Sequence, residues 1–356
     1  MITLLTFALI LTSAVVVHEL AHYLNARSVG LEVRAFSVGI GPVLARRRWR
    51  GIEWRLSLLP LGGYVELPGM APTVDESGEL RHPDEGVAKL PLNQKLWVLI
   101  GGVIANYLLG SLLLAGAISL QPAYRAITSQ AELPVRGTLV VGVVEGSPAA
   151  ALGIEAQDLI VAINGVETPS DQEVVAQVQA AESLTLVLER DGARRTVTTP
   201  WPPAEGEPLL GVTISTSVAP VGFLEVLPEA AAFGVRVVPQ MVTGFVRGIG
   251  AAVTGAPNQD VAGPVGMVTM VAEATRIGLA PVLLLAAVIN LSLAVFNLLP
   301  VPGLDGGRML LAAVVALRGR PFRPGQEEQI HFIGVMLVMA LIVLITFREV
   351  GALFAG

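Results

Sequence analysis

Four long apolar stretches dominate the pattern of hydrophobic and polar positions along the chain. A helix that crosses the hydrocarbon core of a bilayer needs about 20 mostly apolar residues. The stretches that meet this requirement run from Ile2 to Leu24, from Leu96 to Leu120, from Pro281 to Pro300 and from Ile330 to Phe347. We therefore expect a multi-pass α-helical membrane protein with four transmembrane helices.

Between the first two stretches the period of the pattern changes to that of a strand. Apolar and polar residues alternate from Ile52 to Leu58, as they do along a half-buried β-strand. Glycines and prolines recur between Phe36 and Leu67, which argues against a spanning helix. We expect a β-hairpin that turns between Arg46 and Gly51. An ordinary solvated hairpin and one that dips into the membrane fit the pattern equally well.

The segment between the second and third stretches begins as a small α+β domain. Ser147 is a typical helix N-cap with Pro148 at the first helical position. The predicted order is a strand, a short helix, a strand that enters an Asn-Gly turn, a helix and a hairpin: Val140–Val144, Ser147–Ile154, Asp158–Gly165, Asp171–Ala181 and Leu184–Thr199. This order resembles a bacterial PDZ domain, for which we expect residues 135–202.

Residues 203–278 are expected to form a linker outside the membrane. Charged residues and prolines interrupt an apolar pattern from Val221 to Gly255, which favours an amphipathic segment on the membrane surface. The alternative is a fifth span, which would invert the topology downstream. The membrane domain then has two parts, residues 1–120 with a reentrant β region at about 36–67, and residues 279–356.

Composition supports a membrane protein and narrows its chemistry. Hydrophobic residues make up 53% of the chain and charged residues 15%, against about 25% charged in soluble domains. The net charge is −6 and no long basic run occurs, so a nucleic-acid partner is not expected. Cysteine is absent, which excludes disulfides and leaves histidine and carboxylate as the metal ligands.

Arginines indicate the orientation, because basic residues concentrate in cytoplasmic loops. One cluster follows the first stretch and the other separates the third from the fourth: Arg27, Arg34, Arg46, Arg47, Arg48, Arg50 and Arg55, then Arg308, Arg318, Arg320 and Arg323. We expect a multi-pass protein of the bacterial inner (cytoplasmic) membrane, with both termini and the PDZ domain outside the cytoplasm.

His18-Glu19-Leu20-Ala21-His22 forms an HExxH pattern near the end of the first stretch. Residues i and i+4 share one face of a helix, so both imidazoles can bind one metal ion, and Glu19 can act as a base towards water. The pattern also occurs by chance. In an apolar span, however, each ionisable group costs at least ~2.5 kcal/mol unless it is paired. A zinc ion provides that compensation, so we expect Zn²⁺ as the cofactor.

A catalytic zinc site usually has three protein ligands. Asp305 is the best candidate for the third, because two prolines and three glycines between Asn297 and Arg308 predict irregular backbone at the end of the third stretch. His82 and His331 are less well placed. Spacing alone also allows Asp305 to pair with Arg308 at the membrane interface.

These motifs together resemble the site-2 protease family of intramembrane zinc metalloproteases, in particular the bacterial regulator-of-sigma-E-protease group. The resemblance is carried, in order, by His18–His22, Phe36–Pro42, Pro60–Val65, Gly263–Gly266 and Asn297–Gly307. It implies that Asp305 is the third zinc ligand. It also implies substrate contacts by Asn297, Pro300 and Pro302, and by Gly39, Gly41, Gly62 and Gly63 of the reentrant β region.

The family resemblance implies cleavage of single-span membrane proteins, such as anti-sigma-factor-like proteins or remnant signal peptides, after a first cut by another protease. An edge strand at Ile52 to Leu58 would hold the unwound substrate by strand addition. The PDZ domain would either bind a substrate C-terminus or exclude substrates with bulky outer domains. The non-enzymatic alternatives are an inactive scaffold that presents a PDZ domain and a zinc-binding transporter.

Overall fold

The computed structural model describes residues 2–70, 73–74, 80–81, 85–129, 135–167, 169–202, 209–254 and 262–355. His82 lies outside the described residues. The chain forms two compact units. The first comprises Met1–Leu114 and Ala230–Gly356, and the second comprises Ala115–Glu229.

The helices are, in chain order, α1 (Ile2–Ser28), α2 (Leu92–Leu120), α3 (Arg125–Thr128), α4 (Pro148–Ala151), α5 (Asp171–Ala180), α6 (Phe223–Arg236), α7 (Val238–Thr254), α8 (Pro264–Ile277), α9 (Leu279–Leu298), α10 (Asp305–Arg318) and α11 (Gln326–Ala355). The strands are β1 (Ala35–Trp49), β2 (Ile52–Glu66), β3 (Thr73–Val74), β4 (Leu80–Arg81), β5 (Val135–Val143), β6 (Leu159–Ile163), β7 (Val166–Glu167), β8 (Ser183–Arg190), β9 (Ala193–Pro200) and β10 (Val212–Val218).

Four of the described helices are long and apolar enough to cross a membrane, namely α1, α2, α9 and α11. They coincide with the four stretches in the sequence, so the prediction of four candidate spans is confirmed. The helices α6 and α7 have 14 and 17 residues. At 1.5 Å per residue, neither helix alone is long enough to cross about 30 Å of hydrocarbon. A position on the membrane surface stays a prediction for them.

The helix α8 differs from the predicted linker, because it packs inside the first unit. Val271 on α8 is buried together with Ile10 of α1 and Ala286 of α9. The Glu349 carboxylate on α11 accepts hydrogen bonds from the backbone N–H groups of Gly263 (2.6 Å) and Val265 (3.1 Å). A carboxylate at a helix N-terminus satisfies otherwise unpaired N–H groups, so α11 fixes the start of α8.

The predicted hairpin is present as β1 and β2. Arg50 and Gly51 both have positive φ angles, 52° and 82°, as the two central residues of a type I′ turn require. The base of the hairpin joins a core with the end of α1 and the start of α2, which includes Ala26, Phe36 and Val98.

The pairing within the hairpin corrects one expectation about the substrate edge. Residues 53–56 pair with residues 45–48 on one side and with residues 35–38 on the other. Residues 52–58 are therefore largely internal to the sheet and cannot supply the free edge. Residues 63–66 pair only with residues 35–38 among the described strands, so this segment forms one outer edge of the sheet. Residues 45–48 form the other edge.

The second unit contains a sheet with the strand order β10-β5-β6-β8-β9, and β7 pairs with β6. The predicted elements between residues 140 and 199 are all found, including the Ser147 cap, whose Oγ accepts a hydrogen bond from the Ala150 N–H. The strand β10 lies in the segment that was expected to be linker. It pairs with β5, so the unit extends beyond residue 202. The PDZ identity of this unit stays a prediction.

Candidate metal centre

The two histidines of the HExxH pattern share one face of α1. His18 and His22 are separated by one helical turn, and their exposed fractions are only 9% and 7%. Their Nε2 atoms lie 3.0 Å apart. Buried imidazoles in this arrangement need a common partner, because two unprotonated nitrogens repel each other and a charged pair would be desolvated.

Asp305 meets the two histidines although it follows His22 by 283 positions in the sequence. Its Oδ2 lies 3.1 Å from His18 Nε2 and 3.2 Å from His22 Nε2. These three side chains form a cluster that could hold a metal ion. The structure therefore brings together the three residues that the sequence proposed as ligands. The predicted alternative, a pair of Asp305 with Arg308, is not the arrangement found.

The position of Asp305 follows from a tight reversal between α9 and α10. Gly303 has a φ of 97°, which favours glycine. A Cβ at Gly306 would lie 2.2 Å from the Leu299 carbonyl oxygen, and one at Gly307 would lie 2.2 Å from the Val301 carbonyl oxygen. The Leu-Asp-Gly-Gly sequence is thus needed to bring the first residue of α10 against the preceding backbone.

The donor set fits a zinc ion. Zn–N and Zn–O bonds of about 2.0–2.1 Å in a tetrahedron place neighbouring ligand atoms about 3.3 Å apart, close to the observed separations of 3.0, 3.1 and 3.2 Å. The buried Oδ2 of Asp305 accepts no hydrogen bond, although it lies within ion-pair distance of both imidazoles. A cation among the three atoms satisfies this oxygen, which a hydrogen-bond network of the same atoms leaves orphaned.

Glu19 lies on the same helix and is held by the hairpin. Its Oε2 accepts a hydrogen bond of 2.9 Å from the backbone N–H of Val65. Val65 belongs to the outer edge of the hairpin sheet that residues 63–66 form. The carboxylate between the two histidines is therefore positioned beside the free edge of a strand.

Sequence reasoning missed the contribution of α2 to this site. His22 Nδ1 lies 2.8 Å from the Val98 carbonyl oxygen, so this ring nitrogen carries the proton and Nε2 is free to bind a metal. Gly102 faces the other imidazole, because a Cβ there would lie 2.3 Å from His18 Cε1. Asn106 Nδ2 lies 3.4 Å from His18 Nδ1. The sequence did contain a signal for this contribution, because Asn106 is a polar residue inside an apolar span.

The residues expected to contact substrate fall into two places. Asn297 is partly buried near the end of α9, and Pro300 and Pro302 lie in the reversal before Asp305. The four glycines lie in β1 and β2: Gly39, Gly41, Gly62 and Gly63.

Close strand contacts account for two of the hairpin glycines. A Cβ at Gly39 would lie 2.8 Å from the Leu59 carbonyl oxygen, and one at Gly63 would lie 2.6 Å from the Ser37 carbonyl oxygen. These glycines are required by strand packing, whereas their contact with substrate stays a prediction.

The chain is similar in sequence to known proteins along nearly its whole length. A family model described as Peptidase family M50 matches residues 6–341. The chain is 32% identical to Atu1380 of Agrobacterium fabrum, across 98% of this chain and 95% of that protein. It is 29% identical to the zinc metalloprotease RasP of Shouchella clausii, across 99% and 100% of the two chains. For the zinc metalloprotease RasP of Geobacillus kaustophilus, the identity is 27% across 99% and 98%.

Proposed function

Since this chain belongs to peptidase family M50, the site-2 proteases, and is a zinc metalloendopeptidase of the membrane, we propose that it cleaves single-span membrane proteins within or at the edge of the bilayer. The observation that carries the proposal is the convergence of His18, His22 and Asp305. Two of these residues belong to a helix that is apolar and long enough to span a membrane. A metalloprotease that works in water would carry this motif in a polar domain.

Each residue of the centre has one role. His18 and His22 would hold the zinc ion through Nε2, and Asp305 would hold it through Oδ2. The chemistry that a bound zinc ion would supply is Lewis acidity, towards a peptide carbonyl and towards water. Glu19 takes the proton from the attacking water and later gives it to the leaving amine. The Val65 N–H orients Glu19 for both transfers.

The free edge at residues 63–66 is the surface that receives the substrate. A helical peptide bond is shielded and its carbonyl is already hydrogen-bonded, so the substrate must unwind before it is cut. An unwound segment can then pair with an exposed strand edge through main-chain hydrogen bonds. This edge already contacts Glu19 through Val65, which supports its selection over residues 52–58. Asn297 and the Pro300–Pro302 reversal precede Asp305 in the chain and contribute a second group of substrate contacts.

The protein lies in the bacterial cytoplasmic membrane with the second unit and both termini outside the cytoplasm. The arginine clusters after α1 and between α9 and α11 support this orientation. The substrates are anti-sigma-factor-like proteins or remnant signal peptides that another protease has cut first. Similar proteins along nearly their whole length are zinc metalloproteases. Together with the intact HExxH pattern, this similarity favours the enzyme over an inactive scaffold or a zinc-binding transporter.

The second unit acts as a PDZ-like domain that selects substrates. Recruitment of an exposed C-terminus and exclusion of untrimmed substrates remain two different roles. Replacement of residues 135–218 by a flexible linker separates them, because exclusion predicts cleavage of untrimmed substrates and recruitment predicts loss of cleavage. The replacement has to include β10, since removal of β5 alone would leave the edge of β10 unpaired.

Substitution Glu19→Gln tests the proposed activity. Co-expressed with a trimmed single-span substrate, the variant should accumulate and bind zinc but yield no cleaved product. Glu225→Gln changes an exposed glutamate on α6 and should cleave at the wild-type rate. Cleavage by Glu19→Gln at the wild-type rate would exclude the role given to this carboxylate.

A further inference from the structure

Asn106 is a buried amide on α2 with an incomplete set of hydrogen bonds. Its side chain is 1% exposed, and its Oδ1 has no hydrogen-bond partner among the described residues. Its Nδ2 lies 3.4 Å from His18 Nδ1, the ring nitrogen that faces away from Asp305. A buried polar atom without a hydrogen-bond partner destabilises the folded protein, so the position of this amide beside a proposed zinc ligand needs a physical reason.

The tautomer of His18 provides that explanation. If His18 Nε2 ligates zinc as a neutral imidazole, the ring proton must be on Nδ1. Nδ1 is then a donor and requires an acceptor. The oxygen and nitrogen of an asparagine amide are distinguished only by their hydrogen bonds. Rotation of the amide by 180° places Oδ1 opposite His18 Nδ1 and gives both atoms a partner.

His22 shows the same arrangement with a different acceptor. Its Nδ1 lies 2.8 Å from the Val98 carbonyl oxygen, two helical turns before Asn106 on α2. One helix therefore faces the outer nitrogens of both imidazoles. The main chain provides the acceptor for His22, and a side chain is placed to provide it for His18.

Gly102 makes the contact possible. A Cβ at Gly102 would lie within 2.5 Å of three atoms of the His18 imidazole. The absence of a side chain lets α2 approach the ring closely, and Asn106 follows one helical turn later. Gly102 therefore allows α2 to contact the His18 ring, and Asn106 is placed to form the hydrogen bond with it.

We propose that Asn106 is a positioning residue of the zinc centre, which accepts the Nδ1–H hydrogen bond of His18 through Oδ1 and so fixes the tautomer and the ring orientation of that ligand. The proposal rests on the ligand set of the proposed function. Loss of such an outer partner typically reduces metal affinity about 10- to 100-fold.

Zinc affinity of the full-length protein in detergent tests the proposal, with a chromophoric chelator as the competitor for Zn²⁺. Asn106→Leu keeps the volume but removes the acceptor, and should weaken zinc binding about 10- to 100-fold. Asn106→Asp keeps an acceptor and should restore binding close to that of the wild type. The visible absorption spectrum of the Co²⁺-loaded protein should change in Asn106→Leu and return in Asn106→Asp, since it reports ligand geometry.

Asn290 provides a matched control. It is also a fully buried asparagine (0% exposed) with an unpaired Oδ1, but it lies on α9 and its Nδ2 donates to the Ala286 carbonyl oxygen of its own helix. Asn290→Leu should leave zinc affinity unchanged. If Asn106→Leu does not accumulate, Asn106→Ala is measured in its place.

Three results would overturn the proposal: wild-type affinity in the Asn106 variant without an acceptor, an equal loss in Asn290→Leu, or no recovery in Asn106→Asp. The variant His18→Ala shows whether a negative result concerns only Asn106 or the proposed zinc ligands themselves. If His18→Ala binds zinc as the wild type does, the proposed centre itself is wrong. If His18→Ala loses zinc and Asn106→Leu does not, only the role of Asn106 is wrong.

Discussion

At the scale of single residues, the site depends on where a few buried polar groups find partners. His18 and His22 could be proposed as ligands from the sequence because two histidines one helical turn apart are unusual in an apolar span. Asp305 was a candidate by its position, and only the family resemblance implied it as the third ligand. The role of Asn106 could not be proposed, because it depends on which turn of α2 faces α1. Both helices are apolar on all sides, so the spacing of apolar and polar residues does not show which face of α2 contacts α1.

A second buried charge stabilises the other unit. Asp158 is fully buried (0% exposed) and accepts hydrogen bonds from Arg190 at 2.5 and 2.8 Å and from the Glu155 N–H at 3.0 Å. Burial alone would raise the pKa of the Asp158 carboxyl, but these hydrogen bonds outweigh it and hold the pKa below its usual range. The stabilisation is therefore present above the ordinary pKa of about 3.9 and is lost as the pH falls through the folded-state pKa.

Substitution Asp158→Asn should destabilise the second unit by about 2–3 kcal/mol, somewhat less than a fully buried pair, because Arg190 is partly exposed. Hydrogen–deuterium exchange of β6 and β8 in the full-length protein at pH 7 measures the loss of protection. Asp191→Asn is the control, since Asp191 is exposed in a turn with a φ of 52° that suits asparagine equally well. Unchanged protection in Asp158→Asn would contradict the importance of this buried charge.

At the scale of elements, alternation in the sequence located the strands of the hairpin but not their partners. The period of two shows which residues form a strand, whereas pairing depends on how the chain folds back. Residues 35–38 insert between the two halves of β2, so the expected edge at residues 52–58 became internal. The positions of the long helices were predicted more accurately than the strand pairing. A spanning helix makes its backbone hydrogen bonds within one segment, so its position does not depend on a distant partner strand.

The packing of α11 against the reversal that carries Asp305 gives a test at this scale. A Cβ at Gly334 would lie 1.9 Å from the Pro302 carbonyl oxygen. Gly334→Ala should displace the reversal and reduce bound zinc and proteolysis at least tenfold, because a small shift of a ligand disrupts a metal centre. Gly351→Ala lies on the same helix with nothing within 4 Å of its Cβ and should behave as the wild type. Full activity in Gly334→Ala would show that α11 does not support the site.

At the scale of the whole molecule, composition and hydropathy were sufficient to predict a membrane protein with four candidate spans. The extent of the second unit was not predicted correctly, because β10 lies beyond the predicted boundary at residue 202 and only its pairing with β5 assigns it to the sheet. Orientation in the membrane depends on charge rather than on packing, so it needs a test of its own.

Single cysteines test the orientation cleanly, because the chain contains no cysteine. Ala193→Cys lies at an exposed position of β9, and Ala316→Cys lies at an exposed position of α10. A membrane-impermeant maleimide added to spheroplasts should label Ala193→Cys at once and Ala316→Cys only after lysis. The reverse pattern would show that the proposed orientation is inverted.

The zinc content of the purified full-length protein tests the central claim most directly. Mass spectrometry should find about one zinc per chain in the wild type and in Glu19→Gln, which retains all three proposed ligands. Asp305→Ala should contain little zinc, because two imidazoles alone bind it weakly at this site. A full equivalent of zinc in Asp305→Ala, held as tightly as in the wild type, would contradict the claim that this aspartate and the two histidines of α1 form one metal centre.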